Sequence, residues 1–274
     1  MLSVLIPTHN YNIVLLVNKL HQLLVLENIP FEICVFEDAS TRFLKKNETI
    51  TNLPYVHYKR LNHNIGRTAI RQALAKHASY SWLLFLDADV MPPNKLFIKS
   101  YLEAITTHKQ TPIFFGGICY TPKMPKQDNF LRWKYGHKRE AKSVKKRLNT
   151  PHVVMSLNLL IKKQNFLALN LVKTDLYGLD NVFSYHIKKT NTTVVHLDNP
   201  VLHLGLEKNA RFLKKALKAV KTTVLMEEQG LLAPAERPLQ KLYVSLKKWK
   251  IVGVFQFVIS KLQKPIEHNL TKQK

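Results

Sequence analysis

Apolar positions along the first half of the chain follow two rhythms. Short runs dense in Val, Ile, Leu and Phe, "SVLIPT" (3–8), "FEICVFED" (31–38), "YVHYKR" (55–60) and "SWLLFL" (81–86), read as strands, and three of the four are followed or closed by turn residues or acids. Between them the spacing turns helical. Asn12 can cap a helix that runs to about Glu27. In "NHNIGRTAIRQALAKHA" (62–78), Asn64 and Gly66 form a turn, and Ala69, Ile70, Ala73, Leu74 and Ala78 line one helical face. Strands alternating with helices predict an α/β sheet whose central strands are largely parallel.

Further on, "PIFFGGICYTP" (112–122) predicts another strand and "VVMSLNLLIKK" (153–163) a return to the sheet. The basic segment between them, to Thr150, has little periodicity and reads as loop. Helical spacing resumes at 207–228, where Ala210, Leu213, Ala216, Leu217, Val220 and Val224 recur beside Lys214, Lys215, Lys218 and Lys221. A second amphipathic stretch follows Pro238, with Leu242, Tyr243, Leu246 and Trp249 among lysines. The apolar "IVGVFQFVI" (251–259) comes next, too short to cross a bilayer.

Composition narrows the classes. The 274 residues are 46% hydrophobic, which excludes global disorder, and no repeat or low-complexity linker divides them. No apolar run reaches the roughly 20 residues of a spanning helix, and the start lacks the charged region and cleavage site of a signal peptide, so a cytoplasmic protein is expected. Cys34 and Cys119 lie in strand-like runs and read as free buried thiols. The net charge of +24 implies affinity for polyanions: nucleic acid, anionic lipid or phosphorylated substrates. Residues 123–147 hold ten bases against two acids, and 205–274 fifteen against five.

Chemistry concentrates where strands end. "WLLFLDADVMPP" (82–93) places Asp87 and Asp89 one residue apart after a buried run; two such carboxylates repel unless a cation or donors stand between them. Thr8, Asn10, Glu37 and Asp38 follow the first two strands. In an open α/β sheet the carboxyl ends of the strands are where ligands bind, so these groups are expected to converge.

Taken in order, "SVLIPTHN", "CVFEDAS", "NIGRTAIRQALA" and "WLLFLDADVMPP" resemble the amino-terminal half of a family 2 glycosyltransferase with the GT-A fold. The resemblance implies a Rossmann-like mixed sheet flanked by helices, with residues 1–205 as the catalytic domain. Its first 120 residues would bind the nucleotide-sugar, 121–205 would form the acceptor half, and 206–274 a basic helical extension. Pro7, Thr8 and Asn10 would border the nucleotide pocket, Asp38 would contact the base, and Gly66 and Arg67 would shape the wall. Asp87, with Ala88, would face the ribose or a metal-bound water. Asp89, with Asp87 and His203, would hold Mn²⁺ or Mg²⁺ on the donor's diphosphate. Asp180, in "YGLDNVFSYHIKK" (177–189), would be the general base of an inverting transfer. "NFLRWKYGHKRE" (129–140) would meet the acceptor through Arg132, Trp133, Tyr135 and Arg139.

The sequence departs from the family pattern at Glu37 and Ala39, where Asp and Gly are usual, and at Leu179, where Glu is usual. The implied activity is single-sugar transfer from a nucleotide-diphospho-sugar to a saccharide or lipid-linked acceptor, in cell-surface polysaccharide or glycolipid assembly. The enzyme would sit in the cytoplasm or peripherally on an anionic membrane face. The alternative is a basic protein that binds nucleic acid or an anionic surface without catalysis. No C-x-x-C pair, RNA-binding aromatic motif or uniform basic stripe supports it, so no nucleic acid partner is expected.

Overall fold

The computed structural model describes residues 1–170, 176, 178–234, 240, 241, 244 and 245. The chain divides into two units, Met1–Thr222 and Thr223–Lys274. Residues 251–259 and most of the stretch after Pro238 lie outside the described residues.

The first unit begins with β1 (Leu2–Thr8), α1 (Val14–Leu26), β2 (Phe31–Glu37), α2 (Leu44–Glu48), β3 (Val56–Arg60), α3 (Arg67–His77) and β4 (Trp82–Leu86), the expected order with one short unexpected helix, α2. After β4 come β5 (Val90–Met91), α4 (Phe97–Thr107), β6 (Ile113–Phe115) and β7 (Ile118–Cys119). The basic segment contains α5 (Phe130–Tyr135), a π-helical turn (Gly136–Glu140) and α6 (Val144–Arg147). The chain continues through β8 (Asn158–Lys162), α7 (Lys163–Leu169), α8 (Asp180–Lys189), β9 (Val194–His196), β10 (Val201–His203) and α9 (Asn209–Glu228).

Among the described residues the strands form two sheets. The larger has the order β3-β2-β1-β4-β8-β6-β9. β1 pairs in parallel with β2 and β4, and β2 with β3, whereas β8 runs antiparallel to both β4 and β6. The inner strands are apolar on both faces because helices cover both: every residue of β2 is buried, as are all but one of β1 and of β4. Phe85 and Phe166 stack across the β4–α7 layer at 4.4 Å. The small sheet, β5-β10-β7, is only two or three residues deep, and its register sets His203 opposite Val90.

Two local expectations are refined. Asn12 does accept from the Val14 N–H (3.2 Å), but Ile13 occupies the cap position of α1. The single strand expected over 112–122 is two, β6 and β7, parted at Gly116 and Gly117. A side chain at Gly116 would overlap Asn199 and Tyr101, and Gly117 holds a left-handed φ of 92°.

One expectation is overturned. The basic segment 123–150 is ordered structure, not loop, and its inward positions are polar rather than apolar. Arg132 is buried against Glu140 (3.0 Å) and the Tyr120 and Phe212 rings. Arg147 is buried with its guanidinium donating to the carbonyls of Phe115 (2.9 Å), Gly116 (3.3 Å) and Leu197 (2.8 Å). Two buried guanidinium groups, Arg147 hydrogen-bonded to three carbonyls and Arg132 ion-paired to Glu140, give a packed segment without hydrophobic periodicity.

In the second unit, Met226 and Leu232 are buried, and the Gln240 amide pairs with Glu227 and donates to the Ala233 carbonyl. No helix of the described residues is long and apolar enough to cross a membrane.

Candidate active site

Three parallel strands deliver their carboxyl ends to one rim. β1 ends at Thr8, β2 at Glu37 and β4 at Leu86, so the loops that follow carry His9 to Tyr11, Asp38, and Asp87 to Asp89 to the same place. A cleft there is lined by Pro7, Thr8, His9, Tyr11 and Asp38, with Arg67 and Arg71 from α3 and Asp87, Ala88 and Asp89 from the β4–β5 loop.

Asp38 ties this rim together. Its N–H donates to the Thr8 carbonyl (2.8 Å), and its carboxylate accepts from the N–H groups of Ile65 (2.7 Å) and Gly66 (3.2 Å). Gly66, at φ 84°, can present its N–H this way where most side chains would be strained. Asn10 and Gly66, expected at the pocket, are not among the residues that line the cleft and brace its loops instead. Asn10 Oδ1 accepts from the N–H groups of Thr41 (2.9 Å) and Arg42 (3.0 Å), closing the β2–α2 loop. Ala39, in place of the usual Gly, sits at φ 51°, a left-handed conformation that costs an alanine roughly 1–2 kcal/mol. Glu37, in place of the usual Asp, faces away and is buried. It accepts from Ser40, Asn47 (3.1 Å) and Tyr58 (2.8 Å), so its extra methylene serves the scaffold.

The two acids of the opening motif part company. Asp87 is gripped by Arg71 at one carboxylate oxygen and by Arg67 at the other (3.1 Å). Burial pushes its carboxyl up, but the Arg71 and Arg67 charges, with His203 nearby, more than offset this and hold it below the usual range. Both Asp87 oxygens are thus engaged by guanidinium groups. Asp89 instead meets His203: the β5–β10 register and a bond from the Leu204 N–H to the Asp89 carbonyl (2.8 Å) set Asp89 Oδ2 3.8 Å from His203 Nε2.

Asp89 and His203 suit a divalent cation. A carboxylate oxygen and an imidazole nitrogen at this separation can both reach an ion at about 2.1 Å. His203 Nδ1 is buried without a hydrogen-bond partner, and a methyl group on Gly205 would overlap Asp89 Oδ2, so the chain leaves this space clear with glycine. The residues fit. They supply only part of a coordination shell, since no group of three or more His, Cys, Asp and Glu gathers for a metal among the described residues. Bound phosphate oxygens commonly complete such shells.

Asp180 opens α8 and accepts from Ser156 Oγ at 3.0 Å. It lines a neighbouring cavity with Ser156, Leu159, Phe166, Leu179 and His186, and Arg67 and Arg71 form a wall common to both spaces. Of the expected acceptor residues, Arg132 is buried and Trp133 donates to the Thr121 carbonyl (2.8 Å) while packing against His137. Both thus serve internal contacts; Tyr135 and Arg139 stand exposed.

Four cleft residues escaped the motif reading: His9, Tyr11, Ile70 and Arg71. Arg71 had a legible signal, lying four residues after Arg67 and so on the same helical face. Tyr11 had none, for only the fold sets its phenol where burial and the Asp89 charge push its pKa up.

A mixed α/β sheet with a parallel-dominated centre flanked by helices resembles the fold of GT-A glycosyltransferases. The sequence pattern of Glycosyl transferase family 2 matches residues 3–164, and the chain belongs to that family. Solved structures with a similar fold include the mannosyltransferase PcManGT from Pyrobaculum calidifontis in complex with GDP-Man and Mn²⁺ (14% identity, TM-score 0.58, covering 99% of this chain and 78% of that one). Another is glucosyl-3-phosphoglycerate synthase from Mycobacterium tuberculosis with Mn²⁺, UDP and glucosyl-3-phosphoglycerate (12%, 0.56, 86% and 81%). S. aureus TarS 1-349 is a third (19%, 0.51); 80% of this chain aligns, but it spans only 64% of that one, and 36% of a longer TarS chain. No curated protein sequence matches significantly.

Proposed function

We propose that the protein transfers a single sugar, with inversion, from a nucleotide-diphospho-sugar to an acceptor hydroxyl. The observation that carries this reading is the pair of adjoining cavities, one lined by Asp38, Asp87 and Asp89 and the other by Asp180, with Arg67 and Arg71 between them. The nucleoside lies in the cleft against Pro7, Thr8 and Asp38, and the diphosphate beside Asp89. Asp89 and His203 hold the cation, which when bound neutralises charge on the departing diphosphate. That solved relatives in fold carry Mn²⁺ with GDP-Man or UDP supports this choice of cofactor.

The chain's own groups do the rest. Arg67 and Arg71 keep Asp87 ionised and maintain positive charge on the wall the diphosphate faces. Ser156 orients the Asp180 carboxylate, which takes the proton from the acceptor hydroxyl. The acceptor oxygen bonds to the anomeric carbon as the bond from that carbon to the diphosphate oxygen breaks, and the electron pair leaves with the nucleoside diphosphate. Attack from the Asp180 side and departure on the Asp89 side give inversion.

The acceptor is a saccharide or lipid-linked hydroxyl in cell-surface polysaccharide or glycolipid assembly, met at the cytoplasmic face of a membrane. In support, Arg211, Lys214, Lys218 and Lys221 of α9 are exposed together with Leu217 and Val220, a basic and apolar surface suited to anionic lipid. The deciding experiment is a panel of UDP-, GDP- and dTDP-sugars scored for Mn²⁺-dependent thermal stabilisation and slow donor hydrolysis. At least one donor stabilises the wild type and not Asp89→Ala. Stabilisation by none, or equally in Asp89→Ala, rejects the reading.

A further inference from the structure

Part of the basic segment, residues 132–140, packs on a buried residue, Tyr120, whose ring lies beside His203. The Tyr120 ring lies 5.4 Å from the His203 ring at an interplanar angle of 34°, close to an offset stack. Its hydroxyl donates to Glu140, whose same carboxylate oxygen accepts from Arg132 (3.0 Å), and the Arg132 guanidinium lies 5.4 Å over the Tyr120 ring. Burial, with the Glu140 charge, pushes the phenol up, so it stays a protonated donor.

The backbone completes the clamp. Gly136 starts the π turn, closed by the Ala141 N–H donating to the Gly136 carbonyl (2.9 Å), and an added methyl there would overlap three ring atoms of Tyr120. The turn therefore lies flush on the ring. A histidine that ligates a metal is usually oriented by a hydrogen bond at its other nitrogen. His203 Nδ1 has no such partner among the described residues, so ring packing is what fixes its orientation.

We propose that Tyr120, clamped by Gly136, Glu140 and Arg132, is a positioning residue that aims His203 Nε2 at the cation shared with Asp89, and so couples the π turn to metal affinity. The proposal rests on the cation reading given above. It gives Arg132, Gly136 and Glu140 of "RWKYGHKRE" (132–140) a role in the clamp.

The test is Mn²⁺ binding to the full chain without donor or acceptor, measured by electron paramagnetic resonance of free Mn²⁺, alongside melting temperature. Tyr120→Leu, which removes the ring, and Gly136→Ala, which displaces it, should each weaken Mn²⁺ roughly ten- to hundredfold, the usual effect of losing an orienting partner. Tyr120→Phe, which keeps the ring, should recover most of the affinity. At saturating Mn²⁺ the folded variants should regain wild-type kcat, the loss appearing in the metal's KM. Gly136→Ala retains every side chain and sits at φ −54°, where alanine is unstrained, so it answers the question even if Tyr120→Leu fails to fold. Wild-type Mn²⁺ affinity in folded Gly136→Ala or Tyr120→Leu, beside loss in Asp89→Ala, overturns the positioning role alone. Absence of Mn²⁺ binding in the wild type both alone and with UDP or GDP present overturns it together with the cation reading.

Discussion

Arg71→Met removes the charge that shelters Asp87 while keeping most of the bulk of the side chain. The Arg71 side chain is 8% exposed and that of Asp87 14%, whereas Arg67, the other partner, is 47% exposed. The Arg67 contact is therefore screened by water and contributes little alone, on the order of 0–1 kcal/mol. Removing one partner of a buried pair costs about 3–5 kcal/mol, because the remaining charge is left desolvated. With Arg67 still in reach, the lower end applies, about 3 kcal/mol. For a unit of this size that corresponds to a fall in Tm of about 6–12 °C. The variant also loses the bond from Arg71 Nη1 to the Arg67 carbonyl (2.9 Å), which holds the first turn of α3.

The assay is urea denaturation followed by tryptophan fluorescence, on Arg71→Met, Asp87→Asn and the double variant. Asp87→Asn neutralises the stranded charge, so the double variant should be more stable than the sum of the single effects predicts by at least about 1 kcal/mol. Additive effects, or a loss in Arg71→Met below about 1 kcal/mol, would refute the view that these groups form one buried ionic unit.

Gly205→Ala places a methyl where Asp89 Oδ2 lies, so the midpoint Mn²⁺ concentration for stabilisation by the donor should rise at least tenfold while the metal-free Tm stays within about 2 °C; an unchanged midpoint would remove Gly205 from the site. Asp180→Asn should leave donor binding, measured by calorimetry, within about threefold of wild type and lower transfer by at least about a hundredfold; wild-type turnover would reject Asp180 as the base. At the opposite end of the strands, burial pushes the Glu32 carboxyl up. Hydrogen bonds from Ser3 and from the Ser79 backbone and hydroxyl, with His57 nearby, bring it below its usual range. A carboxyl depressed in the native state stabilises above its unfolded pKa of about 4.3, and that contribution is lost as pH falls through the native value. Glu32→Gln should therefore flatten the acid limb of stability below about pH 4.3, read from urea midpoints; an unchanged limb would mean that Glu32 is not strained by protonation.

The sequence by itself determined the sheet and its rim. β1, β2 and β4 are buried on both faces, so they appear as unbroken apolar runs, and each must end in a group that can turn the chain and face water. Asp38, Asp87 and Asp89 were legible for that reason, and Gly66 because the turn needs a left-handed residue. Tertiary structure alone decided how those acids divide their work. Arg71 claims Asp87 through a helix packed on the strands, and a two-residue strand brings His203 to Asp89 across more than a hundred residues, by pairing too short to leave a periodic signal. The same holds for the basic segment. Its interior is made of Arg132 and Arg147, packed with Glu140 and Tyr120, groups that leave water only because each finds its partner in space. Apolar burial is nearly independent of which neighbour supplies the contact, so it writes itself into sequence pattern. Polar burial depends on partners distant in sequence and set within a few tenths of an ångström, and this only the folded chain provides.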